Sequence, residues 1–290
     1  MDRKSKFFVS AAVIFVGLGG LLIWQSLQIG KFRLIACDVG QGDALLMISP
    51  AGRQVLVDGG PNNKVLDCLS KNMPFWDRKI EVVINTHPQQ DHLFGLVGVL
   101  EKYDVGLVVR TPVGHTTELY KTWQTKLESA KIKTHNVIAG ESLIVDGLSV
   151  EFLWPDRESI QRWKENPPAD LNESSIVIRV KLPKGDIKGH CAYLTGDITK
   201  EILERIIDQP CDVLKVAHHG SRTGTSAEIL TKAKPKIAIM QLGAKNRYGH
   251  PHQEVLDVLG KFGVRILRND ISGEIEVDWN GSGWTVKNDR

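Results

Sequence analysis

At 290 residues, with 42% hydrophobic and 24% charged side chains, the chain has the composition of a folded protein with a sizeable buried core. A formal net charge of +3 excludes both a strongly basic nucleic-acid-binding composition and an acidic tail. Partners have to be argued from local sites rather than from the total.

The chain opens MDRKSKFFVSAAVIFVGLGGLLIWQSLQIG, and from Phe7 to Trp24 Ser10 is the only polar side chain, a run long enough to cross a bilayer as a helix. The stretch IWQSLQIG offers no pair of small residues for signal cleavage, and no Cys stands there for lipidation, so residues 1–30 are expected to be an uncleaved single-pass anchor in the cell membrane. Arg3, Lys4 and Lys6 precede the run while Lys31 and Arg33 follow it. The positive-inside rule then expects a cytoplasmic N-terminus and a folded part facing the exterior or periplasm.

From Lys31 onward, β-rich runs alternate with helical patterns. The runs are FRLIACD, ALLMIS, RQVLVDGG, IEVVINTH, VGLVVRT, LSVEFLW, SSIVIRVKL, CAYLTGD, DVLKVAHHG, KIAIMQLG and GEIEVDW. Helices are expected over Lys64 to Asn72, Leu93 to Tyr103, Thr116 to Ala130, Thr199 to Ile207, Ser226 to Ala233 and His252 to Phe262, each bounded by Gly, Pro or polar residues. Pro155 to Glu173 reads as a loop-like insertion between two strands, not as a domain boundary. The expected organisation is a mixed α/β protein: an anchor over 1–30 and one domain over 31–290.

The four cysteines have no CxxC spacing, and Cys37 and Cys191 lie in apolar strand-like runs, where buried thiols are usual. No chemistry is assigned to them; an outward-facing domain could oxidise a pair, with the connectivity left open.

Six of the nine histidines fall in three short stretches: His87 and His92 in THPQQDH, His218 and His219 in VAHHGSRTGTS, and His250 and His252 in NRYGHPH. Asp58 in VLVDGG and Asp197 in AYLTGD also follow apolar strands, and strand ends that feed one edge of a sheet bring distant carboxylates and imidazoles together. Taken singly, each piece is more often structural: a His–Asp pair hydrogen-bonds at a strand end, TGD makes a turn, and Pro251 opens a helix. Their order and spacing together favour a metal site.

DVGQGDALLM, VLVDGG, THPQQDHLFGL, LTGD, DVLKVAHHGS and NRYGHPH, in this order, resemble the metallo-β-lactamase-fold domain of the ComEC family of DNA-uptake competence proteins, over about Arg33 to Trp279. The resemblance implies an αββα sandwich, a divalent-cation centre and a nuclease. It covers neither a polytopic transport domain nor an OB-like domain. In the superfamily motif HxHxDH, His87, Asp91 and His92 match, while Gln89 stands at the second position, where ComEC-like members commonly have Asp. Asp197 matches the carboxylate that can bridge two metals, His218 the last ligand, and Asn172 the place of a third His that is usually Asn in ComEC-like proteins.

On this reading Asp91, His92, Asp197 and His218 form one complete pocket, and two carboxylates with two imidazoles suit an octahedral cation. His87 and the shared Asp197 with the neutral oxygens of Gln89 and Asn172 form a weaker one, tolerable for Mg²⁺ or Mn²⁺ and poor for Zn²⁺. The cofactor expected is one or two divalent cations, Mn²⁺, Zn²⁺ or Mg²⁺. Asp58 is expected to orient the loop bearing His87 and His92. Asp38 and Asp43 are expected to scaffold the DVGQGD loop, Gly40 and Gly42 to permit its backbone, and Gln41 is a candidate to face the site. A bound cation would supply hydroxide and offset phosphoryl charge, with Asp91 among its ligands. His219, Ser221, His250 and His252 are candidates to hold phosphate oxygens or protonate the leaving group, and Lys215, Arg222, Lys245 and Arg247 put positive charge beside the motifs. The leading reading is an exported nuclease acting on DNA beside a transport channel. The alternatives are a small-molecule esterase or lactamase of the same fold, which needs a pocket closed by apolar loops, and a non-catalytic DNA-binding module with a decayed site.

Overall fold

The computed structural model describes residues 30–182 and 190–289, so the expected anchor lies, but for Gly30, outside the described residues. Among the described residues no helix is long and apolar enough to cross a membrane.

The first half of the chain builds β1 (Phe32–Ala36), β2 (Leu45–Ile48), β3 (Gln54–Val57), α1 (Lys64–Asn72), β4 (Lys79–Asn85), α2 (Gln90–Lys102), β5 (Asp104–Arg110), α3 (Glu118–Ser129) and β6 (Lys133–Asn136). The second half builds β7 (Ser142–Val145), β8 (Leu148–Trp154), α4 (Arg157–Glu165), β9 (Val177–Lys181), β10 (Cys191–Leu194), α5 (Lys200–Ile206), β11 (Val213–Lys215), α6 (Ala227–Ala233), β12 (Ile237–Met240), α7 (Gln253–Lys261), β13 (Arg265–Arg268), α8 (Asn269–Ser272), β14 (Ile275–Trp279) and β15 (Trp284–Asn288). One sheet has the order β15-β14-β1-β2-β3-β4-β5-β6 and the other β13-β12-β11-β10-β9-β8-β7. Between them lies a core that includes Leu34, Met47, Ile84, Phe152, Ile178 and Leu194.

Each sheet also packs helices on its outer face, so β1, β2 and β3 are buried along their whole length and read as unbroken apolar runs. Helix α1 shows the complementary pattern, burying Val65, Cys68, Leu69 and Asn72 at helical spacing. The result is the αββα sandwich that the resemblance implies.

The four strands absent from the expected set, β6, β7, β13 and β15, are the outer strands of the two sheets. An outer strand packs less apolar surface and carries polar residues that blunt its open edge, which weakens the sequence signal; β6, KTHN, is exposed throughout. The expected loop over Pro155 to Glu173 also contains structure, α4 and a 3₁₀ turn at Leu171–Ser174. Asp156 caps α4 by accepting from the Ser159 backbone N–H, and the helix buries only Ser159, so its sequence lacks an apolar stripe.

The cysteines are paired, Cys37 with Cys68 and Cys191 with Cys211, which replaces the reading of buried thiols. The first bridge ties the end of β1 to α1, and the second ties β10 to the segment entering β11. Loops of 31 and 20 residues are closed in this way, each stabilising the fold by about 3–4 kcal/mol in the chain-entropy account.

Strands β3, β4, β5 and β6 run parallel, as do β10, β11, β12 and β13. Their C-terminal ends meet along one edge of the sandwich, where open α/β sheets place their ligand sites.

Candidate metal centre

Asp58 follows β3, Thr86 and His87 follow β4, and Asp91 and His92 lie in the first turn of α2. From the other sheet come Asp197 after β10 and the AHHG turn after β11, while Asn172 and Ser175 precede β9, which is antiparallel to β10 and so begins at the same edge. The DVGQGD loop is pressed onto the start of α2: a Cβ on Gly42 would lie 2.2 Å from the Asp91 carbonyl oxygen, which accepts from the Asp43 backbone N–H at 3.1 Å. Glycine at 42 is thus a matter of close approach.

His218 and His219 both adopt left-handed backbone conformations, φ 51° and 54°, in a region costly for residues with a Cβ. This double twist turns His219 inward, its side chain 2% exposed, and leaves His218 at the mouth, 29% exposed.

His219 Nε2 stands 3.1 Å from Asp197 Oδ2 and 3.5 Å from Asp91 Oδ2, and His92 Nε2 stands 3.2 Å from Asp197 Oδ2. Asp91, His92, Asp197 and His219 offer ligand atoms that all lie within 4.8 Å of one another. His218 Nε2 is 4.0 Å from Asp197 Oδ2. His219 thus joins the compact cluster, and His218, expected as the last ligand, flanks it.

The outer nitrogens explain how the imidazoles are held. His92 Nδ1 meets Asp58 Oδ2 at 2.8 Å, and His219 Nδ1 meets the Gln241 carbonyl at 2.8 Å. His87 Nδ1 contacts Thr86 Oγ1 at 3.1 Å and Ser175 Oγ at 3.2 Å, and Thr86 Oγ1 itself donates to Asp58 Oδ2 at 2.6 Å. Each Nδ1 is placed to donate, which leaves each Nε2 as the nitrogen that can offer a lone pair to a cation once it carries no proton. Among the described residues, Nε2 of His87, His92 and His219, both carboxylate oxygens of Asp197 and Oδ1 of Asn172 are buried with no hydrogen-bond partner. Buried polar atoms are rarely left this way unless an ion or water satisfies them. The same atoms are an N/O donor set of the kind that holds a divalent cation. His87 and Asn172 supply open donors beside the main cluster, and Gln89 lines the adjoining cleft.

Charge supports the same fit. Asp43, Asp58 and Asp197 surround a permanent cation, Lys215, which is fully buried, paired with Asp43 and 3.6 Å from Asp197 Oδ1. Burial works against the Lys215 charge, but Asp43 and Asp197 outweigh it and raise its pKa. Burial likewise opposes charge on His92 and His219, yet Asp197 with Asp58 or Asp43 holds both well above the ordinary histidine value. His87 goes the other way, pushed down to about 3 by burial and by His92. Burial also raises the Asp58 carboxyl against the pull of His92. Protons on His92 and His219 offset the carboxylates, and a cation would displace them.

The cleft above the cluster, about 510 Å³, is lined by Asp91, His218, His219, Lys245, Arg247 and His250 among others. Ser221, Arg222 and His252 are not in its wall; Ser221 Oγ meets Thr223 Oγ1 at 3.0 Å, and His252 Nδ1 accepts from the Arg222 backbone N–H at 3.2 Å. Gln41 does line it, its Oε1 accepting from the Gly243 N–H at 3.1 Å. Lys215, expected to put positive charge beside the motifs, does so from beneath the centre, fully buried, and Asp43 reaches His219 Nδ1 at 3.3 Å, beyond a loop-scaffold role. The supports Thr86 and Ser175 were not singled out in the sequence, since short hydroxyl residues next to strands carry no distinctive pattern. Tyr248 was also missed; it is half exposed and stacks on His250 at 5.7 Å, and its place between Arg247 and GHPH was the available signal.

Residues 37–243 match the family model described as the metallo-beta-lactamase superfamily. The chain is 31% identical over 82% of its length to ComE operon protein 3 of Bacillus subtilis and 27% identical over 89% of its length to Recombination protein 2 of Haemophilus influenzae, both of the ComEC competence type. It spans about a third of each, 32% and 30%. Among solved structures, the metallo-beta-lactamase fold protein YhfI of Bacillus subtilis superposes with a TM-score of 0.57 at 14% identity, covering 84% of this chain and 99% of that one, a likeness of fold.

Proposed function

The chain belongs to the metallo-β-lactamase superfamily as a metal-dependent hydrolase, and on that premise we propose that it is a nuclease cleaving DNA phosphodiester bonds. The observation that carries this reading is one cleft lined both by Asp91 and His219, whose Nε2 has no hydrogen-bond partner, and by Lys245 and Arg247. A small ester or lactam calls for an enclosed apolar pocket, whereas a polar, basic, solvent-open cleft suits a phosphodiester strand.

Asp91, His92, Asp197 and His219 would hold the first cation, and His87, Asn172 and the shared Asp197 a second, weaker one. When bound, such a cation supplies a hydroxide nucleophile at neutral pH and polarises a phosphoryl oxygen. The chain's own residues then position the strand. Lys245 and Arg247 hold phosphate oxygens, and exposed Tyr248 offers a face on which a base can stack. His218 and His250 are both held below the ordinary histidine value, the latter at about 4, chiefly by burial. Neutral imidazoles there accept protons or donate hydrogen bonds, and do not act as charged acids at pH 7.

The two disulfides support an oxidising compartment. They agree with a domain held outside the cytoplasm by residues 1–30, where it would meet incoming DNA beside a transport channel. The test is incubation of the full chain with labelled single- and double-stranded DNA across Mg²⁺, Mn²⁺ and Zn²⁺. Cation-dependent cleavage abolished by chelation is expected. Turnover of esters or lactams with no DNA cleavage at any cation concentration would replace this reading with that of a small-molecule hydrolase.

A further inference from the structure

One strand over from the centre lies a second cavity of about 370 Å³, whose walls include Arg110, His115, Tyr120, Gln124 and Asn136 and contain no acidic residue. Arg110 ends β5 in register with Asn85 of β4, two residues before His87, and neighbouring strands lie about 4.8 Å apart. The cavity therefore opens on the same edge of the sandwich as the metal centre.

Its polar atoms are oriented by one another. Arg110 Nε donates to Asn136 Oδ1 at 3.1 Å and Nη1 to Gln124 Oε1 at 2.7 Å, and Gln124 Nε2 donates to the Tyr120 hydroxyl at 2.9 Å. His115 Nδ1 accepts from the Thr117 backbone N–H at 3.2 Å, which fixes the tautomer with a proton on Nε2. Every acceptor in this chain is thus engaged. The groups left over include four donors: Arg110 Nη2, the Tyr120 O–H, His115 Nε2–H and Asn136 Nδ2. Among the described residues no carboxylate pairs with Arg110, whereas Arg268, likewise partly buried, is paired with Asp270. A guanidinium held by two neutral amides and surrounded by spare donors is an arrangement for an anion, and its planar fork suits phosphate.

We propose that this cavity is an anion subsite that takes a phosphodiester group of the DNA strand, flanking the group held at the metal centre. The assignment rests on the nuclease reading. It reads backbone and not base, because its donors match phosphate oxygens and the walls carry no base-edge pattern. It would set how long a strand must be to bind well.

The test is fluorescence anisotropy of the full chain with single-stranded oligonucleotides of rising length, under chelation to prevent cleavage and at several salt concentrations. Arg110→Gln should weaken binding of long strands about tenfold, the loss of a charge-assisted contact, and lower the slope of log affinity against log salt by about one. Tyr120→Phe, which keeps the ring and removes one donor, should weaken the same strands a few-fold with the salt slope unchanged. Strands too short to reach from the centre should be indifferent to both changes. Wild-type affinity and slope in both variants on long strands would overturn the subsite. Should Arg110→Gln misfold through loss of its link between α3 and β6, Tyr120→Phe decides alone. A wild-type chain that neither binds nor cleaves DNA would instead sink the nuclease reading, a failure visible before any variant is made.

Discussion

Asp197 and Glu276 are both carboxylates set into the sandwich beside cations, and the fold treats them oppositely. Glu276 on β14 gives Oε2 to Arg33 and Oε1 to Lys287, so both oxygens are taken. Asp197 has His219 at 3.1 Å, His92 at 3.2 Å and Lys215 at 3.6 Å, yet neither oxygen has an aligned hydrogen bond. A network whose task is stability closes on itself, and breaking it leaves an uncompensated charge. A network kept open at buried lone pairs costs stability in the bare chain and recovers it when a ligand arrives.

The largest effects should come from trading one side of this comparison against the other. Asp197→Asn should strip the centre of cation and lower hydrolysis by about a thousandfold or more, read by metal analysis and by product formation. Glu276→Gln should keep full metal content while losing about 2 kcal/mol of stability, read by urea unfolding. Metal loss in Glu276→Gln, or retained activity in Asp197→Asn, would erase the distinction.

Much of the open network was legible beforehand because its members follow strongly apolar strands: Asp58 after VLV, His87 after VVIN and Asp197 after AYLTG stand where a strand must end. The inner strands were legible for the same reason, and the helices other than α4 and the short α8 by their apolar spacing. Three things were not. Which of two adjacent histidines turns inward depends on the left-handed twist at His218 and His219, which no periodicity encodes. The burial of Lys215 is decided by the depth of β11 in its sheet, not by its own type. The pairing of Cys37 with Cys68 joins residues distant in sequence, and only the packing of α1 against the first sheet brings them together.

The closed network should also show itself in acid. Burial works against the Glu276 charge, but Arg33 and Lys287 hold its pKa at about 2, below the ordinary 4.5. A depressed folded value means the stabilisation is fully present above pH 4.5 and is lost as pH falls toward 2. Urea midpoints measured across this range should fall less steeply for Glu276→Gln than for the wild type, and equal slopes would show that the pair does not govern the acid limb.

Gln89 gives the smallest and finest adjustment. Gln89→Asp adds an anionic oxygen to the His87 and Asn172 side, and should lower the Mn²⁺ concentration needed for half-maximal cleavage a few-fold. An unchanged metal titration would mean that the first cation alone supports catalysis.

If the unpartnered nitrogens and oxygens around Asp197 are a cation seat, His219 completes it. Calorimetric titration of Mn²⁺ into metal-free wild type, His219→Ala and His218→Ala tests it without reference to any substrate. His219→Ala should lose the tightest site, with affinity down about a hundredfold or more, while His218→Ala keeps it. Tight binding preserved in His219→Ala and lost in His218→Ala would contradict the account and return the last ligand to the position that the family motif suggested.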